Sequence, residues 1–313
     1  MDAWRTIAMS EPNEFEADGK TWKAVNADNV EAMRELDENS VHLTVTSIPF
    51  ASLFCYSDSD RDFGNCASQT QFFEHFRFFC EGLLRVTRPG RLAAIHCMLL
   101  PSSKVRDGHI GLKDFRGETI RAMEEAGWIY HAETVIWKDP VTAMQRTKAL
   151  GLLWKQLRKD STMSRMGIPD YVCFFRKPGV NSEPVEHTHE SFPVAQWQEW
   201  ASPVWMDINQ SKTLQARSVR EERDERHLCA LQLEVIERCI ALYSNVGDIV
   251  FDPFGGIGST GVVALEMKRK ALMIELKRSY FQQMVANMRR ADSESKQSDL
   301  FSVAPIGLDQ ASG

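Results

Sequence analysis

Apolar and polar positions fall into two rhythms along most of this chain. VHLTVT (41–46) alternates like a strand, whereas Gln69 to Val86 repeats apolar residues at helical spacing through Phe72, Phe73, Phe76, Phe79, Cys80, Leu83 and Leu84. Arg88-Pro89-Gly90 is predicted to stop that helix, and LAAIHCMLL follows as a second apolar strand. From about 138 to 225 the rhythm breaks down: Trp and Pro are scattered among short runs such as YVCFF (171–175), and 181–226 has no clear period. This stretch reads as an inserted module. Alternation resumes with a helix over Leu231 to Tyr243, the strand DIVFD (248–252), a glycine-rich turn, a helix, the strand ALMIE (271–275) and a helix from about Arg278 to Arg289. Strands alternating with helices predict an α/β fold built on a parallel sheet. Residues 1–20 and 291–313 are polar and aperiodic, so both ends are expected to fray. No internal repeat is visible.

Composition narrows the class. With 313 residues, 43% hydrophobic and 26% charged, the chain is long enough for one large α/β domain with a smaller recognition module, and it excludes collagen-like, coiled-coil and mostly disordered classes. Seven cysteines, an odd number with no C-x-x-C pair, argue against a secreted disulfide framework and for a reducing cytoplasm. The N-terminal segment lacks the basic-then-apolar run of a signal peptide, and no stretch reaches the ~18 apolar residues of a membrane span, so no membrane role is expected.

The strongest chemical signal is DIVFDPFGGIGSTG. Glycines 255, 256, 258 and 261 stand directly after a strand and at the opening of a helix, where backbone N–H groups can approach a ligand closely. Fourteen residues beyond Gly261, Glu275 ends the next strand, where a carboxylate can accept hydrogen bonds from both hydroxyls of a ribose. A nucleoside-containing cofactor fits. Gly256, Gly258 and Gly261 also satisfy G-x-G-x-x-G, which admits a dinucleotide oxidoreductase, or a tight strand-to-helix turn with no ligand; no Lys follows to make a P-loop.

At the end of the first strong strand stands Thr46-Ser47-Ile48-Pro49-Phe50, where open α/β sheets bind ligands. Ser47-Ile48-Pro49-Phe50 resembles the (Asp/Asn/Ser)-Pro-Pro-(Tyr/Phe/Trp) motif of exocyclic-amino DNA methyltransferases, and Asp252-Pro253-Phe254-Gly255-Gly256-Ile257-Gly258-Ser259 resembles their D-P-F-x-G-x-G-(Ser/Thr) motif for S-adenosyl-L-methionine (AdoMet). The tetrapeptide precedes the glycine motif, as in the beta group of that family, and the resemblance spans about residues 21–290. Asn26-Ala27-Asp28 resembles the stretch whose acidic residue meets the cofactor adenine, and Arg226-His227 through Gln232 the segment that precedes the AdoMet motif. SRMGIPDYVCFFRKP and the Trp-rich stretch after it resemble phage and prophage members.

The resemblance implies a twisted, mostly parallel sheet with helices on both faces: a catalytic half (21–137), a target-recognition insertion (138–225) and an AdoMet-binding half (226–290). It implies AdoMet as cofactor, held by Asp28, Asp252, Pro253, Phe254, Gly256, Gly258, Ser259 and Glu275. Ser47 Oγ and the Ile48 carbonyl would accept the two hydrogens of a base amino group, and Phe50 would stack on a base swung out of the duplex. Ile48 stands where most members carry Pro; the group needed there is the backbone carbonyl, which Ile also supplies. Serine at the first motif position favours cytosine N4 over adenine N6.

Cytosine-C5 methylation needs a nucleophilic Cys, usually after Pro, and none of the twelve prolines precedes one. Cys55, flanked by Phe54 and Tyr56, has no basic neighbour to activate it and reads as packing. His187-Thr188-His189 lies in a polar loop without a nearby Cys, so no metal is assigned.

The whole chain carries a net charge of −6, yet 138–177 holds nine basic residues against three acidic. Clustered positive charge suits phosphate contact, and Arg146, Lys148, Lys155, Arg158, Lys159 and Arg165 are the candidate DNA-binding residues, with Trp137 and Trp154 interleaved. The bland alternative is a solvated helix face. DNA is the expected partner; a homodimer is compatible with this reading, and no partner endonuclease follows from the sequence. Two other classes stay open: an NAD-dependent oxidoreductase, although that fingerprint normally opens its fold, and a catalytically inactive DNA-binding relative.

Overall fold

The computed structural model describes residues 15–50, 63, 66, 68–147, 150–214 and 231–302. Chain order begins β1 (Glu16–Asp18), β2 (Trp22–Asn26), α1 (Asn29–Glu35), β3 (Val41–Ser47), α2 (Gln69–Val86), β4 (Thr87–Met98), β5 (Leu100–Ser102), α3 (Lys104–Asp107), β6 (Gly111–Lys113), α4 (Phe115–Glu125) and β7 (Ile129–Ile136). It continues with α5 (Pro140–Thr147), α6 (Trp154–Lys159), β8 (Asp170–Arg176), α7 (Val194–Trp200), β9 (Val204–Trp205), α8 (Leu233–Tyr243), β10 (Ile249–Asp252), α9 (Ser259–Glu266), β11 (Lys270–Glu275) and α10 (Arg278–Ser302).

Among these residues the main sheet has nine strands in the order β1-β2-β11-β10-β3-β4-β8-β7-β9. The five strands from β2 to β4 are parallel to one another, while β8 runs antiparallel to both of its neighbours. The expected α/β class, with a mostly parallel sheet and helices on both faces, is therefore what the chain forms. One face is covered by α1, α2 and α4, with Phe72, Phe76, Phe79, Leu83, Phe115 and Met123 fully buried; the other by α8, α9 and α10, with Val235, Ile236, Ile240, Ala264, Met284 and Met288. Periodicity explains α2: its buried residues recur every three to four positions, and Ser68 caps it by accepting from the Gln71 amide at 3.1 Å.

Four expectations change. Arg88-Pro89-Gly90, expected to stop α2 ahead of the strand, already lies within it: α2 ends at Val86, β4 begins at Thr87, and Gly90, at φ +73°, donates its N–H to the Lys177 carbonyl at 2.9 Å. The region read as an inserted module contributes β8 and β9 to the sheet. YVCFF is apolar on both sides because β8 is sandwiched, Val172 and Phe174 packing on one face and Cys173 and Phe175 on the other; a run without alternation is what a doubly covered strand requires. The aperiodic stretch after it is anchored by Trp205, which is buried and donates Nε1–H to the Trp200 carbonyl at 2.9 Å, with Arg238 of α8 lying over both rings.

Both expected frayed ends are partly ordered. β1 pairs with β2, and Lys23 meets Glu16 at 3.4 Å. At the other end α10 continues past Arg289 to Ser302: Phe281, Met284, Val285, Met288 and Ala291 form a buried stripe, and once that stripe has nucleated the helix each further residue adds a backbone bond. No helix among the described residues is long and apolar enough to cross a membrane.

Candidate active site

The parallel strands end at one edge of the sheet, and the two sequence motifs meet there. β3 and β10 are paired neighbours, so Ser47-Ile48-Pro49-Phe50 leaves β3 beside the point where Asp252-Pro253-Phe254 leaves β10. Asp252 ties them together: its carboxylate accepts from Thr46 Oγ1 at 2.6 Å, from Thr260 Oγ1 at 2.7 Å and from the Phe254 amide at 3.0 Å. Burial pushes the Asp252 carboxyl up to about 6, against the pull of these donors. Asp252 is thus the knot of the turn rather than a group presented to a ligand.

The glycines divide the labour. A Cβ on Gly255 would lie 2.9 Å from Met284 Sδ, on Gly258 3.0 Å from Met284 Cγ, and on Gly261 3.0 Å from Met288 Cε. Those three let α10 pack against the turn. Gly256 differs: it sits at φ +52° and a Cβ there would meet nothing within 4 Å among the described residues, which leaves a side-chain-sized opening in the turn that could cradle a ligand. Gly258, at φ +92°, caps α9, and Ser259 opens that helix, whose first N–H groups have no partner inside the helix.

Glu275 closes the cradle from β11. Its Oε2 accepts from the Gly256 amide at 2.8 Å and its Oε1 from the Lys277 amide at 2.7 Å, which fixes the carboxylate beside the glycine turn. Next to it, Asn26 Nδ2 donates to the Glu275 carbonyl at 2.7 Å and the Leu276 carbonyl at 2.9 Å. Asp28, expected to meet an adenine, caps α1 by accepting from the Glu31 amide at 3.0 Å. Asn29, missed in the sequence, reaches further into the site. It is buried and donates to the Pro253 carbonyl at 3.2 Å, and its Oδ1 has no hydrogen-bond partner among the described residues. Phe254 packs its ring on Phe79 and Phe63 at 5.1 and 5.7 Å.

At the tetrapeptide, Ser47 is half-buried and its hydroxyl lies 2.9 Å from His96 Nδ1. Ile48 points its side chain into the core, and Phe50 is 3% exposed, edge-on to His96 and Phe115. The ring expected to stack on a base is therefore packed in the wall of the site. Behind Ser47, His96 Nε2 lies 3.0 Å from Asp170 Oδ2, and Lys138 pairs with the same oxygen. Burial pushes the Asp170 carboxyl up, but Lys138 and His96 together hold it below the usual aspartate value. His96, Asp170 and Lys138 went unread in the sequence. The signal was a histidine interrupting the apolar LAAIHCMLL.

A single edge of the sheet thus brings a backbone-lined cradle and a polar tetrapeptide together from distant parts of the chain. The family model described as DNA methylase, of the N6/N4 methyltransferases, matches residues 41–286. This chain belongs to that DNA methylase family. Among curated relatives, it is 22% identical to the type II methyltransferase M.MjaI of Methanocaldococcus jannaschii over 79% of this chain and 84% of that one. It is 25% identical to M.Cfr9I of Citrobacter freundii over 92% and 93%. Among solved structures, its fold is similar to TTHA0409 of Thermus thermophilus, a DNA modification methylase by its description, in complex with S-adenosyl-L-methionine: TM-score 0.63, 22% identity, 85% of this chain and 92% of that one. It is also similar to PvuII DNA methyltransferase, described as cytosine-N4-specific: TM-score 0.60, 17% identity, 88% and 94%. Membership in the family decides against the oxidoreductase that G-x-G-x-x-G left open.

The basic run of this methylase is not one surface. Lys155, Arg158 and Lys159 are exposed on α6 beside Trp154, which is 69% exposed. Arg165 is half-buried against Gly151, and burial lowers its guanidinium from the ordinary value. Lys138 is engaged by Asp170, and Arg176 and Lys177 lie at the opposite end of β8, where Lys177 Nζ donates to Asn39 Oδ1 at 2.8 Å. Ile136 pairs with Asp170, so the segment bearing α5 and α6 both leaves and rejoins the sheet at the edge where the two motifs meet. Lys148, Cys55 and Arg226-His227 lie outside the described residues, as does the side chain of Arg146.

His187, read as solvated, donates from Nε2 to the Leu242 carbonyl at 3.1 Å. A different group, His42, Glu183 and Asp248, has ligand-like spacing, but Arg91 pairs with Asp248 and Arg88 with Glu183, which supplies the positive charge a cation would bring.

Proposed function

We propose that this DNA methylase transfers a methyl group from AdoMet to the exocyclic amino group of a base in DNA, cytosine N4 in preference to adenine N6. The observation that carries this reading is the juncture of the two motifs: Thr46, next to Ser47, bonds at 2.6 Å to Asp252, which opens the glycine turn. A cofactor cradle and an amino-binding site therefore share a wall.

The residues present fit AdoMet. Gly256 leaves open space where a side chain would stand, Asn29 keeps a buried oxygen with no partner among the described residues, and the Glu275 carboxylate is held at the Gly256 amide. Gly256, Gly258 and Ser259 would hold the amino-acid end along the backbone of the turn, with Glu275 at the ribose and Asp28 toward the adenine. When bound, AdoMet supplies a methyl group on a positively charged sulfur.

Ser47 and Ile48 perform the remaining work. A base amino nitrogen is a poor nucleophile because its lone pair is delocalised into the ring. Acceptors at Ser47 Oγ and the Ile48 carbonyl, each taking one amino hydrogen, favour the tetrahedral nitrogen and aim its lone pair. Phe50 supplies the stacking surface, and because the ring is 3% exposed, the base must displace its present packing to reach it. Lys155, Arg158, Lys159 and Arg165 would meet phosphates, together with Arg146 and Lys148.

Serine at the first motif position, as in the cytosine-N4 enzymes that the tetrapeptide resembles, is what supports cytosine N4; the hydroxyl's hydrogen bonding would serve either base. Mass spectrometry of nucleosides from methylation-deficient cells expressing the protein tests the proposal. N4-methylcytosine is the expected product; N6-methyladenine alone would reverse the base preference, and neither would overturn the activity.

A further inference from the structure

Ser47, His96 and Asp170 lie in a row across three adjacent strands. Ser47 and His96 are register partners between β3 and β4, and Asp170 opens β8, two positions along from the residue paired with His96. All three share the parity of Val45, Ala94 and Val172, so they project from the same face of the sheet. His96 and Asp170 are both almost fully buried, 6% and 2% exposed.

We propose that His96 and Asp170 are positioning residues that fix the direction of the Ser47 hydroxyl, so that its proton is spent on His96 and its lone pairs are left for the amino group of the base. Asp170, paired with Lys138, is a carboxylate and can only accept. Its Oδ2 lies 3.0 Å from Nε2, an ion-pair contact without hydrogen-bond alignment, Nε2 having no hydrogen-bond partner among the described residues; the negative charge at that distance favours the imidazole hydrogen on Nε2, because the other tautomer would set a nitrogen lone pair against an oxygen lone pair. Nδ1 is then an acceptor, 2.9 Å from Ser47 Oγ, and the only hydrogen available between them belongs to serine. A serine whose proton points at Nδ1 offers the substrate acceptor sites alone, which is what an amino group with two hydrogens needs. Lys138, at the end of β7, neutralises Asp170, whose second oxygen has no hydrogen-bond partner among the described residues.

The inference rests on Ser47 as the amino acceptor, and its test separates the two. In protein labelled with 15N-histidine, NMR of the His96 ring, assigned by loss of the signal in His96→Asn, is expected to show hydrogen on Nε2 and a bare Nδ1 at neutral pH. Asp170→Asn, whose amide donates to Nε2, is expected to move the hydrogen to Nδ1. Its kcat should then fall by about 10²- to 10³-fold, the scale of losing one positioned hydrogen-bonding group, with AdoMet Kd and DNA KM within about threefold of wild type. His96→Asn retains an oxygen where Nδ1 stood, so it should keep about tenfold more kcat than His96→Leu. Hydrogen on Nδ1 in the wild-type protein overturns the inference whether or not any variant folds, as does a folded Asp170→Asn protein with wild-type kcat. A wild-type protein that transfers no methyl to DNA, with hydrogen on Nε2, defeats the functional reading and leaves the serine orientation standing.

Discussion

Asp252 shows how one buried group can serve a site without touching what the site binds. Its folded value of about 6 lies above the ordinary 3.8, so between those values the folded chain holds a proton that the unfolded chain has released. Stability from this group is therefore present below about 4 and is lost as pH rises toward 6. Asp252→Asn removes the titration while keeping acceptor and shape on one side. The melting temperature of the Asn variant relative to wild type is expected to rise steadily from pH 4 to 6.5, read by scanning calorimetry; a constant offset would deny the raised value. Gly256 and Gly258 make the complementary test, since only Gly256 opens on empty space. Gly256→Ala should weaken AdoMet binding at least tenfold in calorimetric titration, at a stability cost of about 1–2 kcal/mol for its positive φ. Gly258→Ala, pressed against Met284, should lose more stability than that. At this scale the sequence carried Ser47, Gly256 and Glu275, because strand ends and glycines announce themselves locally. It hid His96, Asp170 and Asn29, whose roles exist only once β3, β4, β8 and β10 are side by side.

Elements with a period were legible. The spacing of phenylalanines defined α2 to the residue, and alternation located β3, β10 and β11 within a position or two. Elements without one were not: β8 reads as an isolated apolar run because both of its faces are covered, and the helical character of α10 beyond Ala291 is local propensity carried on from a buried stripe. The charge run was visible, but its distribution over two ends of β8 was not. This makes α6 the informative element for DNA. Replacing Arg158 and Lys159 together by Gln should weaken binding to all DNA sequences alike and reduce the slope of log affinity against log salt by up to about two phosphate contacts, measured by fluorescence anisotropy. An unchanged slope would move the phosphate contacts off α6.

Across the whole molecule, the 138–225 segment and the parallel strands are one folded unit through β8, which lies between β4 and β7. Excising residues 138–225 as if they were an appended module should therefore unfold the protein, seen as loss of cooperative melting, rather than leave an AdoMet-binding core; excising 141–168 alone should spare the sheet. The same architecture puts Ser47-Ile48-Pro49-Phe50 and the glycine turn at the ends of adjacent strands, and the proposed methyl transfer needs them to act together. The most direct test is methyl incorporation into DNA from radiolabelled AdoMet by purified wild-type protein and by Ser47→Ala, each first titrated for AdoMet binding. Equal AdoMet affinity is expected, with wild type labelling DNA on a base amino group and Ser47→Ala slower by about 100-fold or more. A Ser47→Ala protein that labels DNA at the wild-type rate, or a wild-type protein that binds AdoMet and labels no DNA, would contradict it.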